Sequence, residues 1–193
     1  MTTRRTASGG LLTGLLTGLL AACSSGSDDS APTPRPSATV ASRPPLKTHL
    51  RYGAVTGRLP HAARQRVARH LGRVVEGWTA AAYLDGPYPR RSFARAFPGF
   101  TPGARADAQH DRRLMSNQDL GGRISGVVPR RQGIVLDVLA VRKHAVGATA
   151  RVYLRFRTTG HVKRDVRVKG RLFLTPTKNG WKVFGYDMTK GAV

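Results

Sequence analysis

Basic side chains occupy alternate positions along two consecutive segments in the last third of the chain. They are Arg151, Arg155, Arg157, Arg167, Lys169 and Arg171, with Tyr153 and Phe173 between them. In a β-strand such alternation places the side chains on one face. Because guanidinium groups bind phosphate and carboxylate oxygens in pairs, this face is a candidate site for a phosphate-rich anion. The alternative is a solvated outer face, since exposed strands often carry charge.

Two aspartates occupy positions from which a carboxylate could act inside a cavity. Asp137 shares its strand parity with Val135 and Leu139, and Asp187 shares its parity with Val183. If this parity faces the helices, a buried carboxylate would be suited to acid–base catalysis on a small molecule. The same two residues can instead lie outside and pair with the surrounding arginines. An enzyme therefore stays open as the alternative to a binding module.

A third group of polar residues has helical spacing. Asp107, His110 and Asp111 would share one face of a helix, where they could hold a cation. The spacing matches no known metal motif, and Arg112 and Arg113 supply ion-pair partners. We expect a solvated helix face here, and the sequence predicts neither a metal nor another cofactor.

The chain is strongly basic. It carries 33 Lys and Arg against 10 Asp and Glu, and Glu76 is its only glutamate. A GC-rich genome would favour arginine over lysine, but such a bias does not explain why acids are so few. Selection for anionic partners is the other explanation, and the composition alone does not separate the two.

Helices are predicted before strands. Apolar residues recur at helical spacing from Val67 to Ala82, and Pro60 suits the first position of that helix. A short second helix is predicted over residues 91–97, and a third over 102–115. Together they would place helices in the first half of the folded part of the chain.

From residue 123 onward the apolar period changes to two, which predicts strands. They span 133–142, 148–157, 165–175 and 181–189, with a weaker strand around 124–128. Asn179 and Gly180 suit a two-residue hairpin turn with positive φ at both positions. Weaker turns are predicted at Thr159-Gly160 and over 145–147. Helices followed by consecutive hairpins predict an α+β fold with an antiparallel sheet of four to five strands.

The only cysteine, Cys23, follows a short apolar segment. Arg4 and Arg5 precede that segment, and Leu-Ala-Ala-Cys at 20–23 ends it, an order typical of a secretory signal. The run is shorter than the roughly 20 residues that a membrane-spanning helix needs. This segment resembles a bacterial lipobox, and the lipoprotein family implies that Cys23 becomes the lipidated, palmitate-bearing N-terminus of the mature protein.

The chain therefore divides into three predicted parts. Residues 1–22 are a signal peptide, 23–48 are a lipidated Cys and a disordered Ser/Pro-rich tether, and 49–193 are one α+β domain. Removal of the signal with Arg4 and Arg5 leaves a net charge of +21. The predicted location is the extracytoplasmic side of the cell membrane.

The order of elements resembles the nuclear transport factor two-like, or SnoaL-like, superfamily. This resemblance implies a cone-like, cystatin-like roll in which N-terminal helices cover one face of a curved sheet. Trp78 in the first helix and the closing Trp-Lys-Val-Phe-Gly-Tyr-Asp at 181–187 are also similar to mammalian-cell-entry-associated envelope proteins. Members of the superfamily include enzymes with an aspartate in the cone, which would assign that role to Asp187 or Asp137.

These observations favour a non-catalytic binding module over an enzyme. The predicted partners are the membrane, through Cys23, and an anionic lipid, a wall polymer or an acidic envelope protein. An extracytoplasmic location argues against cytosolic nucleic acid. Extracellular DNA stays open as a partner, but the sequence has no nucleic-acid-binding motif and only the charge favours it. The alternative is an isomerase- or hydrolase-type enzyme that acts on a small molecule.

Overall fold

The structure, a computed structural model, describes residues 46–193. The predicted signal, Cys23 and nearly all of the predicted tether lie outside these residues. In chain order the elements are strand β1 (Thr48–Thr56), helix α1 (His61–Thr79), a π-helical turn (Ala80–Leu84), helices α2 (Pro102–His110) and α3 (Arg112–Met115), and strands β2 (Gly126–Val141), β3 (His144–Thr159), β4 (Asp165–Thr177) and β5 (Gly180–Ala192).

The five strands form one open, curved sheet in the order β1-β2-β3-β4-β5. Strands β2 to β5 are a meander of three antiparallel pairs, whereas β1 runs parallel to β2. The helices lie between β1 and β2 in the chain and cover one face of the sheet. The predicted α+β class is confirmed, with the correction that the sheet is mixed rather than wholly antiparallel.

The core lies between the helices and one face of the sheet. Alternate residues of the long strands are buried there, as the period of two requires. Those in β2 and β3 are Gln132, Ile134, Leu136, Val138, Ala140, Ala148, Ala150, Val152, Leu154, Phe156 and Thr158. Helix α1 supplies the opposing layer through its buried stripe of Leu71, Val75 and Trp78. Gly72 lets α1 approach β1, because a Cβ atom there would lie 2.9 Å from Leu50 Cδ1.

A buried lysine joins the loops after the helices to the last strand. The Lys190 ammonium of β5 donates to the carbonyl oxygens of Arg113 and Ser116 and to the carboxylate of Asp119. Burial lowers the pKa of this lysine, and the bond to Asp119 opposes that shift. These three bonds fix the helical layer on the side of the sheet opposite the predicted basic face.

Three predicted elements differ from the structure. Residues 91–97 form turns rather than a helix, although Phe93 and Phe97 are both buried in the core. The predicted helix over 102–115 is interrupted at Asp111, which separates α2 from α3. The weak strand around 124–128 is the beginning of β2. The actual fifth strand is β1, for which no strand was predicted.

The hairpin turns also differ in detail. The β2–β3 turn is the two-residue loop Arg142-Lys143, with φ of 47° and 66°, rather than a turn over 145–147. The β4–β5 hairpin is confirmed, but its positive φ is confined to Gly180, which pairs with Thr177. Lys178 and Asn179 therefore form a turn followed by a left-handed glycine, instead of the predicted turn with two positive φ angles.

The described residues, 46–193, form a compact unit with its own hydrophobic core. A domain of this size buries enough surface to fold without a partner. Within residues 46–193, no helix has both the length and the apolar character to cross a membrane.

Candidate functional site: the open face of the sheet

The face of the sheet turned away from the helices carries the predicted basic residues, and we call it the open face. Its positions alternate with the buried ones along β3 and β4. All six predicted anion-binding residues lie on it: Arg151, Arg155, Arg157, Arg167, Lys169 and Arg171. The strand register brings Arg155 directly opposite Arg167, Arg151 opposite Arg171, and Tyr153 opposite Lys169.

Three arginines from three adjacent strands form a continuous line across this face. Arg131 of β2 is opposite Arg155, which is opposite Arg167. We call Arg131, Arg155 and Arg167 the arginine row. Within residues 46–193 none of the three forms an ion pair. Facing side chains on neighbouring strands have Cβ atoms about 5 Å apart, so three positive charges lie close together without an acid.

A β-bulge in β2 adds a further base to this region. The register shifts between Pro129 and Arg131, which leaves Arg130 as an extra residue on β2. A bulge redirects side chains, and here both Arg130 and Arg131 line one groove. The Arg131 guanidinium also lies over the ring of Tyr153, 5.7 Å from its centroid. The aromatic ring therefore holds one member of the arginine row in place.

Two adjoining grooves run along the open face. The larger, of about 630 Å³, is lined by His49, Arg51, Arg131, Gly133, Arg151 and Tyr153 and by neighbouring backbone. The smaller, of about 410 Å³, is lined by Arg130, Arg131, Tyr153, Arg155, Arg157 and Asp165. Because Gly133 has no side chain, the floor of the larger groove stays open between His49 and Tyr153. The grooves are shallow and basic, which suits an extended anion better than an enclosed small molecule.

Arg155 occupies the centre of the arginine row. Its Nε atom is buried and has no hydrogen-bond partner within residues 46–193. A buried donor without an acceptor is costly, by about 1–3 kcal/mol. An oxygen of a bound anion would satisfy this donor, since a guanidinium binds phosphate or carboxylate through two of its nitrogens.

A different arrangement, in which arginines are paired with aspartates, lies four residues from the arginine row along β3. Asp137 accepts from Arg151 through both carboxylate oxygens at 3.0 Å, and it also accepts from the backbone N–H of Ala54 at 2.8 Å. Asp187 pairs with Arg171 at 2.6 Å. We call Asp137, Arg151, Arg171 and Asp187 the ion-pair region.

The two aspartates considered for catalysis are thus both on the open face. Asp187 is 58 % exposed at its side chain and Asp137 is 31 % exposed, and neither lies beneath the helices. Asp137 instead fixes β1 where its register with β2 shifts. A Cβ atom at Gly53 would overlap the carboxylate of Asp137 and the guanidinium of Arg151, so any larger residue there would displace this ion pair.

The third aspartate on the strands is also paired. Asp165 lies opposite Arg157 and 3.9 Å from its guanidinium, at the edge of the smaller groove. Every aspartate of the strands is therefore beside an arginine outside the arginine row. This distribution leaves the unpaired positive charge around the grooves on the arginine row, Lys169, Arg130 and Arg51.

Sequence analysis missed the contribution of β1 and of the first half of β2. Arg51, Arg130 and Arg131 line the grooves but were not among the predicted site residues. The adjacent arginines at 130 and 131 were the only available signal. Pro129 obscured it, because proline argues against a continuous strand and the bulge that accommodates it has no sequence signature.

The predicted helical group, Asp107, His110 and Asp111, is exposed, and one member of it contacts the sheet. Asp111 accepts a hydrogen bond from the Tyr186 hydroxyl at 2.9 Å, which joins the break between α2 and α3 to β5. Burial, followed by this bond, raises the pKa of Tyr186. Residues 46–193 contain no cluster of three histidine, cysteine or acidic residues placed to hold a metal ion.

Comparison with known proteins gives no relative: no family model, no curated protein and no solved structure matches this chain. The resemblances drawn from the order of elements and from the segment at 20–23 therefore stay predictions. Function has to be argued from the open face itself.

Proposed function

We propose that this chain is a lipid-anchored envelope lipoprotein whose α+β domain binds an anionic envelope component, or an acidic partner of a membrane complex, without catalysis. The binding site is the open face, with the arginine row at its centre. The observation that carries the proposal is the direct register of Arg131, Arg155 and Arg167 without any carboxylate among them.

The energetics of the sheet support this assignment. Like charges directly opposite each other destabilise a sheet by up to about 1 kcal/mol per pair. The arginine row contains two such contacts, and the buried Nε atom of Arg155 adds a donor without an acceptor. A bound anion removes all three penalties together. Anion binding therefore also stabilises the folded domain.

A catalytic role has no comparable support. Asp137 and Asp187 are ion-paired on an open surface, where water reaches both carboxylates. The grooves have no aspartate or glutamate apart from Asp165 at one edge. The imidazole and carboxylate groups that line the grooves are His49 in the larger and Asp165 in the smaller, and neither groove contains both. The open face therefore offers mainly cations and an aromatic ring for binding.

The test uses residues 43–193 and fluorescently labelled long-chain polyphosphate. The variant Arg131→Gln/Arg155→Gln/Arg167→Gln should bind about a hundredfold more weakly at low salt, because three charge-assisted contacts are lost. The slope of log affinity against log salt should fall by about two to three. Fluorescence anisotropy over a salt series measures both quantities.

The matched control removes three exposed arginines from the helices, in Arg66→Gln/Arg69→Gln/Arg105→Gln, and so changes the net charge equally. We expect this control to bind within about threefold of the unchanged protein. Equal losses in both variants would mean that net charge alone drives binding, and would refute the site. The anchor is tested separately in the producing bacterium, where Cys23→Ser should abolish palmitate labelling of the protein.

A further inference from the structure

The end of the sheet that lies farthest from the arginine row has an unusual surface. Of the five large apolar side chains exposed in residues 46–193, four lie within five residues of the β2–β3 or β4–β5 turn: Leu139, Val141, Val146 and Phe184. Phe184 is 54 % exposed and Leu139 is 48 % exposed. We call residues 139–146 and 177–184 the hairpin end. Leu139 of β2 and Phe184 of β5 are separated by β3 and β4, so these side chains are distributed across one end of the sheet. Exposed apolar side chains concentrated at one end of a sheet favour a docking surface there.

The charges at the hairpin end are all of one sign. Its bases are Arg142, Lys143, Lys178 and Lys182. No aspartate or glutamate occurs in residues 138–150 or 174–186. Apolar side chains surrounded by cations are complementary to a surface that is apolar inside and anionic outside, which describes an anionic lipid bilayer.

The β2–β3 turn provides an independent observation. A two-residue turn with positive φ at both positions favours Asn-Gly, yet this chain places Arg142 and Lys143 there, at φ of 47° and 66°. Left-handed backbone is unfavourable for long side chains. Two cations are thus held at the tip of the hairpin in a conformation that another sequence would adopt more easily. Such local strain points to a functional use of the two charges.

We propose that the hairpin end docks on an anionic phospholipid bilayer, with Phe184 and Leu139 inserted among the lipids and the four bases at the headgroups. Gly147, which pairs with Leu139, lies eight positions from Arg155 along β3, so the arginine row is about 26 Å along the strand from the inserted Leu139. This inference goes beyond the proposed function, because it assigns the bilayer to a second surface and leaves the arginine row free for another anion.

The chain before β1 is long enough to allow this orientation. The 24 residues from Ser24 to Lys47 can span at most about 80 Å, more than the length of the sheet. β1 begins opposite Gln132, beside the arginine row, and runs toward the hairpin end. A lipid on Cys23 and the hairpin end could therefore reach the same bilayer.

The experiment measures co-sedimentation of residues 43–193 with vesicles. One set contains phosphatidylglycerol and phosphatidylcholine, and the other contains phosphatidylcholine alone. The variant Leu139→Glu/Phe184→Glu should bind the anionic vesicles at least about tenfold more weakly, since it loses both inserted side chains. The control Val193→Glu changes the one exposed large apolar residue outside the hairpin end, and we expect it to bind like the unchanged protein.

A second variant separates docking from folding. Arg142→Asn/Lys143→Gly installs the favoured turn residues, so its melting temperature should rise while its affinity for anionic vesicles falls about tenfold. Polyphosphate binding should be unchanged in both hairpin-end variants. Unchanged vesicle affinity in the two hairpin-end variants would overturn the proposal. Loss of vesicle binding in the arginine-row variant alone would also overturn it, because the bilayer would then contact the open face.

Discussion

The arginine row and the ion-pair region lie on the same face of the same strands, about 13 Å apart along β3. In both, an arginine of β3 faces an arginine of β4: Arg155 faces Arg167, and Arg151 faces Arg171. In the ion-pair region, Asp137 and Asp187 neutralise these charges from the neighbouring strands β2 and β5. In the arginine row, the residues opposite Arg155 on β2 and opposite Arg167 on β5 are Arg131 and Gly191, and neither is an acid.

This difference distinguishes the arginines that hold strands together from the arginines that can bind a ligand. Exposed ion pairs contribute little to stability, about 0–1 kcal/mol each, but they make an arginine unavailable to a ligand. Where the flanking strands supply aspartate, the arginines hold strands together. Where they supply arginine or glycine, the positive charge remains free for an anion from outside.

The largest effect is expected from placing an acid in the arginine row. Gly191→Asp puts a carboxylate opposite Arg167, as Asp187 lies opposite Arg171, and a Cβ atom at Gly191 meets nothing within 4 Å. We expect polyphosphate affinity to fall about tenfold or more, because one cation is neutralised and an anion is repelled. Thermal unfolding should show unchanged or slightly greater stability. An unchanged affinity would mean that the arginine row does not contact the anion.

A smaller effect is expected from filling the larger groove. Gly133→Leu places a side chain between His49 and Tyr153, and its Cβ atom would approach only the His49 carbonyl oxygen, at 4.0 Å. We expect about a fivefold loss of polyphosphate affinity, since the anion can no longer lie along the groove floor. Gly147→Leu on the same face, where a Cβ atom also has free space, is the matched control. Equal losses of polyphosphate affinity in the two variants would mean that the larger groove is not part of the binding site.

The smallest effect is expected from freeing an arginine in the ion-pair region. Asp187→Asn leaves Arg171 without its partner and should raise polyphosphate affinity about two- to threefold. Stability should fall by no more than about 1 kcal/mol, because the pair is exposed. Calorimetric titration and a thermal melt measure the two quantities. A loss of affinity would instead indicate that the pair positions the binding surface.

Much of this fold was predictable because the strands alternate regularly. The parity of β3 and β4 correctly placed six basic residues on one face, and the apolar stripe of α1 identified the covering helix. The position of β1 was not predictable, because parallel pairing with β2 depends on contacts across about 80 residues of sequence. The alternation of apolar and polar residues in β1 is short and is interrupted by Gly53. This pattern does not distinguish the strand from an unstructured tether.

The division of the open face into the arginine row and the ion-pair region could likewise not be predicted from the sequence. Whether Arg151 or Arg155 is neutralised depends on the register of β2, and that register is shifted by the bulge at Arg130. Parity placed Asp137 correctly on one face with Val135 and Leu139, but it could not identify which face the helices cover. For Asp187 the parity prediction was wrong, because the register shift at Phe184 puts Asp187 on the opposite face from the buried Val183. Only the packed structure distinguishes a buried carboxylate from one that pairs with an arginine outside.

The most direct test of the central claim is NMR of the arginine Nε–H groups in residues 43–193 during titration with polyphosphate. We expect the Nε–H resonances of Arg131, Arg155 and Arg167 to shift and that of Arg155 to shift most, since its donor has no partner among the described residues. The resonances of Arg151 and Arg171 should move little, because both guanidinium groups are already bound to aspartate. Uniform shifts across all five arginines, or shifts confined to Arg151 and Arg171, would contradict the account.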